Sequence, residues 1–522
     1  MGKQSYLKWL RATLAILFFV PITFLFVDFT NLLPVSANHL LRYQVMPAIL
    51  GGYIGIMVLQ FILALVFGRL YCSVLCPAGT LQDIINRIFC IGKKKKKGVR
   101  RFKYRKPANI LRYGLFAVTI VTALFGFTSL LVFLDPYSNF GRIAKNLFHP
   151  VYMWGNNLIA DLLTRFDNHA LYYATVSTVT IAGLVAAVSA LVLFIVLVVL
   201  RGRLFCNTLC PVGALLSLIS RFSLFRVSIN KETCIKCGIC ESTCKAEAID
   251  SKNMTVDASR CVDCFNCLST CSKGSLLYKF NPSFPSVAKK EEVLAPATEK
   301  QAVNEPHGRR DFLVTTVAVA SSVPVLAAIT DAGSEVKKYP PVIPPGALNL
   351  ERFKDKCTAC HLCVVRCPSN VLRPAGLEHG FDFLLRPECA FIKSYCNYDC
   401  TVCSEVCPTG AIQFLTKEEK KQTQVGIAEF MIDLCVVYTD NTDCGACSEH
   451  CPLQAVRMVP YEGTLTIPEV TADLCVGCGG CESICPVRPQ RAIIVRGNKE
   501  HVLIDLPEEE EVQEFEIDGF GF

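Results

Sequence analysis

The chain has 522 residues, a hydrophobic share of 52%, a formal net charge of +8 and 30 cysteines. Its length leaves room for two or three domains, and so high an apolar share excludes an ordinary soluble enzyme and assigns part of the chain to lipid. Length and regular CxxC spacing together exclude a small secreted disulfide scaffold.

Four apolar runs come first, roughly 12–33, 47–67, 114–134 and 171–200. Each is long enough to cross a hydrocarbon layer of about 30 Å as a helix, and packed membrane helices tolerate interruptions such as Pro21 and Gln60. Between the second and third runs, Lys93 to Lys106 carries ten basic residues and no acid. Such a run can bind nucleic acid, but beside two membrane spans it marks the cytoplasmic side, and no nucleic-acid partner is expected. The N-terminus, with Lys3, Lys8 and Arg11, and the end of the fourth span, with Arg201 and Arg203, then also lie inside.

An internal repeat follows the second and fourth spans. Gly68–Gly79 and Gly202–Gly213 share eight of twelve residues and both carry CxxxCP, at Cys72 and Cys76 and at Cys206 and Cys210. Pro77 and Pro211 suit the first turns of new helices, with apolar faces for the membrane surface at Leu81, Ile84, Ile85 and Ile88 and at Leu215, Leu218, Ile219 and Phe222. CxxxCP can be no more than a structural turn. In a reducing cytosol these thiols make a poor permanent disulfide, so metal binding or thiol redox chemistry is set ahead of it.

Two C-x2-C-x2-C-x3-C runs come next, Cys234-Cys237-Cys240-Cys244 and Cys261-Cys264-Cys267-Cys271. This is the bacterial ferredoxin spacing, in which three thiolates hold one [4Fe–4S] cube and the fourth reaches its neighbour. The sets are therefore Cys234, Cys237, Cys240 with Cys271, and Cys261, Cys264, Cys267 with Cys244. Structural zinc sites use CxxC pairs split by a longer loop, so a repeated third cysteine favours iron–sulfur. A linker spans 281–308, and Arg309-Arg310 then precedes a weakly apolar stretch to about residue 330. That twin arginine reads as a Tat-type export signal retained as a fifth, anchoring helix; an ordinary fifth span is the simpler reading. Either carries the remaining cysteines to the periplasm.

Four further runs occupy 345–497: Cys357-Cys360-Cys363-Cys367, Cys396-Cys400-Cys403-Cys407, Cys435-Cys444-Cys447-Cys451 and Cys475-Cys478-Cys481-Cys485. Six runs imply six [4Fe–4S] clusters. Six cysteines are left over: the four CxxxCP thiols, Cys90, and Cys389, which is an alternative to Cys396 as a ligand. An acidic tail is placed at 498–522. The fold expected is thus a membrane α-helical bundle over 1–225, four spans plus the fifth Tat-like anchor at 309–330, carrying two α+β ferredoxin-like modules at 226–280 and 345–497.

The order of these motifs resembles the quinol-dehydrogenase components of periplasmic nitrate reduction, fused head to tail. Residues 1 to about 280 look like the NapH type, with four spans, paired CxxxCP motifs and a two-cluster ferredoxin. Residues 305–495 look like the NapG and MauM type, with a Tat-type leader and four clusters. The resemblance implies a multi-pass protein of the bacterial inner membrane that takes electrons from the quinone pool to a periplasmic reductase or cytochrome. It also implies nested ligand pairing in the outer block: Cys357, Cys360 and Cys363 with Cys485, Cys475, Cys478 and Cys481 with Cys367, Cys396, Cys400 and Cys403 with Cys451, and Cys435, Cys444 and Cys447 with Cys407. Relatives of the NosR and CcoG type imply an alternative, conduction from a cytoplasmic electron donor to maintain a periplasmic enzyme. A third reading is an assembly or anchor protein with structural clusters. Quinol oxidation needs proton acceptors near the outer face, where Asp28, His39, Arg42, Asp135, Arg142, His149 and His169 are candidates. Asp135 and His149 are the pair chosen, although Asp135 also suits an N-cap.

Overall fold

The computed structural model describes residues 4–28, 33–91, 102–174, 180–281 and 339–505. The linker and the twin-arginine segment fall outside these residues. The chain divides into two compact units: 1–338 with 351–388 and 402–413, and 339–350 with 389–401 and 414–522. The segment expected to be one outer module is therefore shared between the units.

Among the described residues of the first unit, two helices are long and apolar enough to cross a membrane, Tyr6–Val27 and Ile181–Arg201. The first runs unbroken through Pro21. The last begins later than its hydropathy indicates, because the Thr180 hydroxyl caps it by accepting the Gly183 N–H at 3.3 Å. The other two expected spans are each in two pieces, which corrects the picture of four continuous helices. Val45–Gly51 stops where Gly52 takes φ +71°, and Ile54–Phe67 continues. Asn109–Leu124 stops before Gly126 at φ +81°, and Ser129–Leu134 resumes. A left-handed glycine ends a helix because the chain can no longer continue the i to i−4 bonding.

The Tyr6–Val27 helix is a strut about 33 Å long. At its start, the Gln4 side chain bonds both the carbonyl and the N–H of Tyr278, and Arg11 pairs with Asp83 at 3.0 Å. At its end, Asp28 is fully buried and paired with Arg366 at 3.2 Å. Residues 225–281 and 351–388 are thereby held to opposite ends of one helix.

The ferredoxin plan appears twice. Phe225–Ile229 pairs antiparallel with Leu276–Phe280, enclosing two cysteine runs and the short hairpin Ile249–Asp250/Thr255–Val256. In the second unit, Thr423–Phe430 pairs antiparallel with Ile493–Leu503, enclosing two runs and the hairpin Val456–Pro460/Thr466–Val470. That final strand runs to Leu503, past the point where the acidic tail was expected to begin. Its core is built from Val437, Ala455, Val456 and Ile493 with the cysteines themselves, so the module's apolar interior and its ligand set coincide.

Candidate metal centres

In all six runs the third cysteine is the second residue of a one-turn helix: Ile239–Thr243, Asn266–Thr270, Leu362–Arg366, Val402–Val406, Ala446–Glu449 and Gly480–Ile484. The four regular runs share more. The residues just before and just after the second cysteine both take positive φ: Lys236 and Gly238, Asp263 and Phe265, Ala359 and His361, Gly477 and Gly479. Five of these eight carry side chains, and each such residue costs of order 1 kcal/mol or more. What the strain achieves is donor placement. Backbone N–H groups of Asp263, Ala359 and Gly477 reach the first sulfur of their runs, and those of Leu362 and Gly480 reach Cys360 and Cys478. Three residues beyond the fourth cysteine, Glu247, Gly274, Asn370, Gly410 and Gln454 again take positive φ. Just after three of these turns, N–H groups of Ala248, Ile412 and Ala455 approach the sulfurs of Cys244, Cys407 and Cys451 at 3.4, 3.4 and 3.2 Å. Donors aimed at sulfur stabilise thiolates.

The thiols gather in fours. Cys234, Cys237, Cys240 and Cys271 line one enclosed space, and Cys244, Cys261, Cys264 and Cys267 another, the sets that ferredoxin spacing predicts. In the second unit, Cys435, Cys444, Cys447 and Cys485 line one space, and Cys451, Cys475, Cys478 and Cys481 another. In the first unit, Cys407 is the neighbour of Cys357, Cys360 and Cys363. Successive runs therefore exchange their fourth cysteines. The nested pairing is corrected: Cys485 stands with Cys435 rather than Cys357, and Cys451 with Cys475 rather than Cys396. The reason is local, since the fourth cysteine ends the helix carrying the third and faces the run paired with it inside one strand frame. Of the remaining set, Cys367 and Cys403 belong to the first unit and Cys396 and Cys400 to the second. Cys389 is buried in the second unit, its N–H donated to the Val342 carbonyl at 2.8 Å.

These residues fit an iron–sulfur cube. Burial pushes the thiols of Cys240, Cys244, Cys357, Cys447 and Cys478 up to about 11 and that of Cys360 to about 12, so thiolates here require a positive core to face. A single tetrahedral metal at 2.3 Å bonds needs sulfurs about 3.8 Å apart. Among the described residues, the group of three ligands that approaches within 4.8 Å is Glu378, His379 and Glu388, not any set of thiols.

The two CxxxCP motifs meet. Cys72, Cys76, Cys206 and Cys210 are each 4% exposed, and each lies within the field of others of the four. The repeats are cross-braced. Arg69 approaches the Cys72 sulfur at 3.9 Å and donates to the Cys206 carbonyl at 2.8 Å. Arg203 approaches the Cys206 sulfur at 3.8 Å and donates to the Cys72 carbonyl at 2.8 Å. A Cβ on Gly79 would overlap the Cys72 carbonyl, and one on Gly213 that of Cys206, so the glycine of CPxG is required on both sides. Behind Arg203, Asp83 binds Arg203, Lys245 and Arg11 at 2.7, 2.6 and 3.0 Å. Burial alone would raise the Asp83 carboxyl, but these three cations hold it well below the usual carboxylate range.

Asp135 and His149, chosen as a quinol-site pair, are both buried. Asp135 is the N-cap of Pro136–Ile143, accepting the Ser138 N–H at 2.9 Å and its hydroxyl at 2.6 Å. Among the described residues neither ring nitrogen of His149 has a hydrogen-bond partner, and burial pushes the imidazole down to about 3. The helix that Asp135 caps lies against the Cys357 run: a Cβ on Gly141 would overlap the Cys360 carbonyl, and Tyr137 lies within the field of the Cys360 sulfur. Sequence reasoning passed over Tyr137 and His361, since one aromatic and one ligand-loop histidine carry no spacing signal.

Comparison with known proteins agrees with this chemistry. Residues 50–100 and 182–231, the two repeats, match a family model described as a 4Fe-4S binding domain, and 227–250 match a second of that description. Residues 257–371 and 442–488 match 4Fe-4S dicluster domains. The methylamine utilization ferredoxin-type protein MauN of Paracoccus denitrificans is 31% identical over 199 residues, 38% of this chain and 56% of that protein. The electron transport protein YccM of Escherichia coli is 25% identical over 223 residues, 41% of this chain and 52% of that protein. The ferredoxin-type protein NapG of Escherichia coli is 29% identical over 114 residues, 20% of this chain and 47% of that protein. The matches thus span about half the length of these relatives. No solved structure matches.

Proposed function

We propose that this iron–sulfur electron-transfer protein sits in the bacterial inner membrane, takes electrons from quinol and delivers them to a periplasmic reductase or cytochrome. In this reading a NapH-like half is fused to a NapG-like half, and six cysteine sets hold six [4Fe–4S] clusters, which supply one-electron traffic. The observation that carries it is the strut: the ends of the Tyr6–Val27 helix hold ferredoxin-type cysteine runs through Gln4 and Arg11 at one end and Asp28 at the other. A buried helix with Asp135 at its cap packs against the Cys357 run, where a Gly141 Cβ would overlap the Cys360 carbonyl; burial raises the Asp135 carboxyl, which makes it the proton-accepting candidate, whereas His149, pushed down to about 3, is not one. Conduction from a cytoplasmic donor is the second reading, favoured by the first ferredoxin's anchorage to Asp83 through Lys245. Menaquinol added to anaerobic purified protein separates the two: prompt cluster reduction supports quinol entry, and reduction by a ferredoxin-type donor alone supports conduction. Six cubes correspond to about 24 iron atoms per chain; a value near 16 would reject two of the assigned sets.

A further inference from the structure

We propose that the four CxxxCP thiols, two from each repeat, form one shared site for a further iron–sulfur cluster, a seventh centre that belongs to none of the ferredoxin runs. The inference extends the electron-transfer reading, and the six-run assignment stands or falls without it. Three features of the site recur in the ferredoxin runs. The thiols are buried; sulfur receives backbone N–H groups, Gly213 donating to Cys210 at 3.2 Å and Gly79 to Cys76; and the four ligands are not packed within 4.8 Å as a mononuclear site would require. Cys76 and Cys210 also stand at the starts of the helices Pro77–Ile91 and Pro211–Ser220, whose dipoles favour a thiolate there.

Charge points the same way. A cube held by four thiolates carries a formal charge of about −2, and Arg69 and Arg203, both fully buried, stand beside Cys72 and Cys206. The position also matters. Arg69, in contact with the Cys72 sulfur, donates to the Ser259 carbonyl at 3.0 Å, two residues before Cys261 of the first ferredoxin. On the other side the helix Pro77–Ile91, which follows Cys76, packs against Pro136–Ile143, and a Cβ on Gly141 of that helix would overlap the Cys360 carbonyl. The shared site thus stands between the first ferredoxin and the outer run, where a centre exchanging single electrons with the adjacent cubes would need no atom to move.

The test uses full-length protein purified without oxygen, with iron, acid-labile sulfide and reduced-state electron paramagnetic resonance measured per chain. Wild type is expected to hold about 28 iron atoms, seven cubes of four. C76S/C210S is expected to lose about four irons, four sulfides and one cluster signal, and C261S/C264S to lose a different signal. Equal iron in wild type and C76S/C210S, a disulfide joining any two of the four thiols in unreduced protein, or stoichiometric zinc at the site overturns the inference while leaving the six-run reading intact. A wild-type count well below 24, with the C76S/C210S difference preserved, counts against the six-run reading alone. R69Q, which retains every thiol, is expected to keep the iron and move one midpoint potential to lower values; unmoved potentials throughout overturn the site.

Discussion

Asp83→Asn is the sharpest single probe of how the repeat is joined to the first ferredoxin. Its carboxylate is the shared anion of Arg11, Arg203 and Lys245, whose side chains are 11, 1 and 4% exposed. Asparagine keeps the shape and one acceptor but leaves three buried cations facing one another. Removing one partner of a buried pair costs about 3–5 kcal/mol, and the retained amide oxygen sets the expectation near the lower figure. The assay is chemical denaturation in detergent, followed by loss of cluster absorbance, with D83N/K245M as companion. The companion should recover part of the loss, because one stranded charge goes with its partner. Three cations depress the folded carboxyl below the unfolded value of about 3.9. The stabilisation is therefore complete at neutral pH and lost only as pH falls below about 4 toward the folded value. A D83N protein within about 1 kcal/mol of wild type at pH 7 would refute the account.

G479A should destabilise the second unit by about 3 kcal/mol or prevent its cubes assembling, because the new Cβ would overlap the Phe391 ring at φ +78°. G410A, at φ +64° with open space around it, should cost only about 1 kcal/mol in the same denaturation assay, and equal losses would remove the steric argument. R366M should cost about 3 kcal/mol by removing the buried cation paired with the fully buried Asp28, measured by the same melt. Burial pushes His501 down to about 4, so its stabilisation is full above the unfolded value near 6.5 and is lost as pH falls toward 4. H501N should flatten the pH dependence of the second unit's melting by roughly 2 kcal/mol over that window; parallel profiles for variant and wild type would count against it.

The first two groupings of thiols were legible because ferredoxin spacing predicts which cysteines come together, and in the fold Cys271 lies with the first run and Cys244 with the second. The outer pairing was not legible: spacing within a run says nothing of which strand frame encloses two runs, and Thr423–Phe430 with Ile493–Leu503 encloses the last two. Span continuity failed at Gly52 and Gly126 because hydropathy averages over a glycine, while backbone conformation turns on it. Asp135 was found for a weaker reason than its place warrants. Its capping role was readable from Asp-Pro-Tyr-Ser, but the packing of the helix it caps against the Cys360 carbonyl, at Gly141, joins positions more than 200 residues apart.

The repeat's asymmetry bears on which way its two halves face. The arginines brace the opposite carbonyls alike, yet Arg203 is backed by the Asp83 carboxylate and Arg69 by the neutral Asn207 amide at 2.7 Å and the Ser259 carbonyl. The positions matching Asp83 and Gln82 in the second repeat are Ser217 and Leu216, and Gln82 alone reaches a thiol, Cys206, at 3.5 Å. Both guanidiniums thus have an acidic neighbour, but Arg203 shares a carboxylate with two further cations, whereas Arg69 lies beside the buried Asp263 of the first ferredoxin. Duplication supplied four thiols, and divergence of the residues behind them made the surroundings of the two halves unequal.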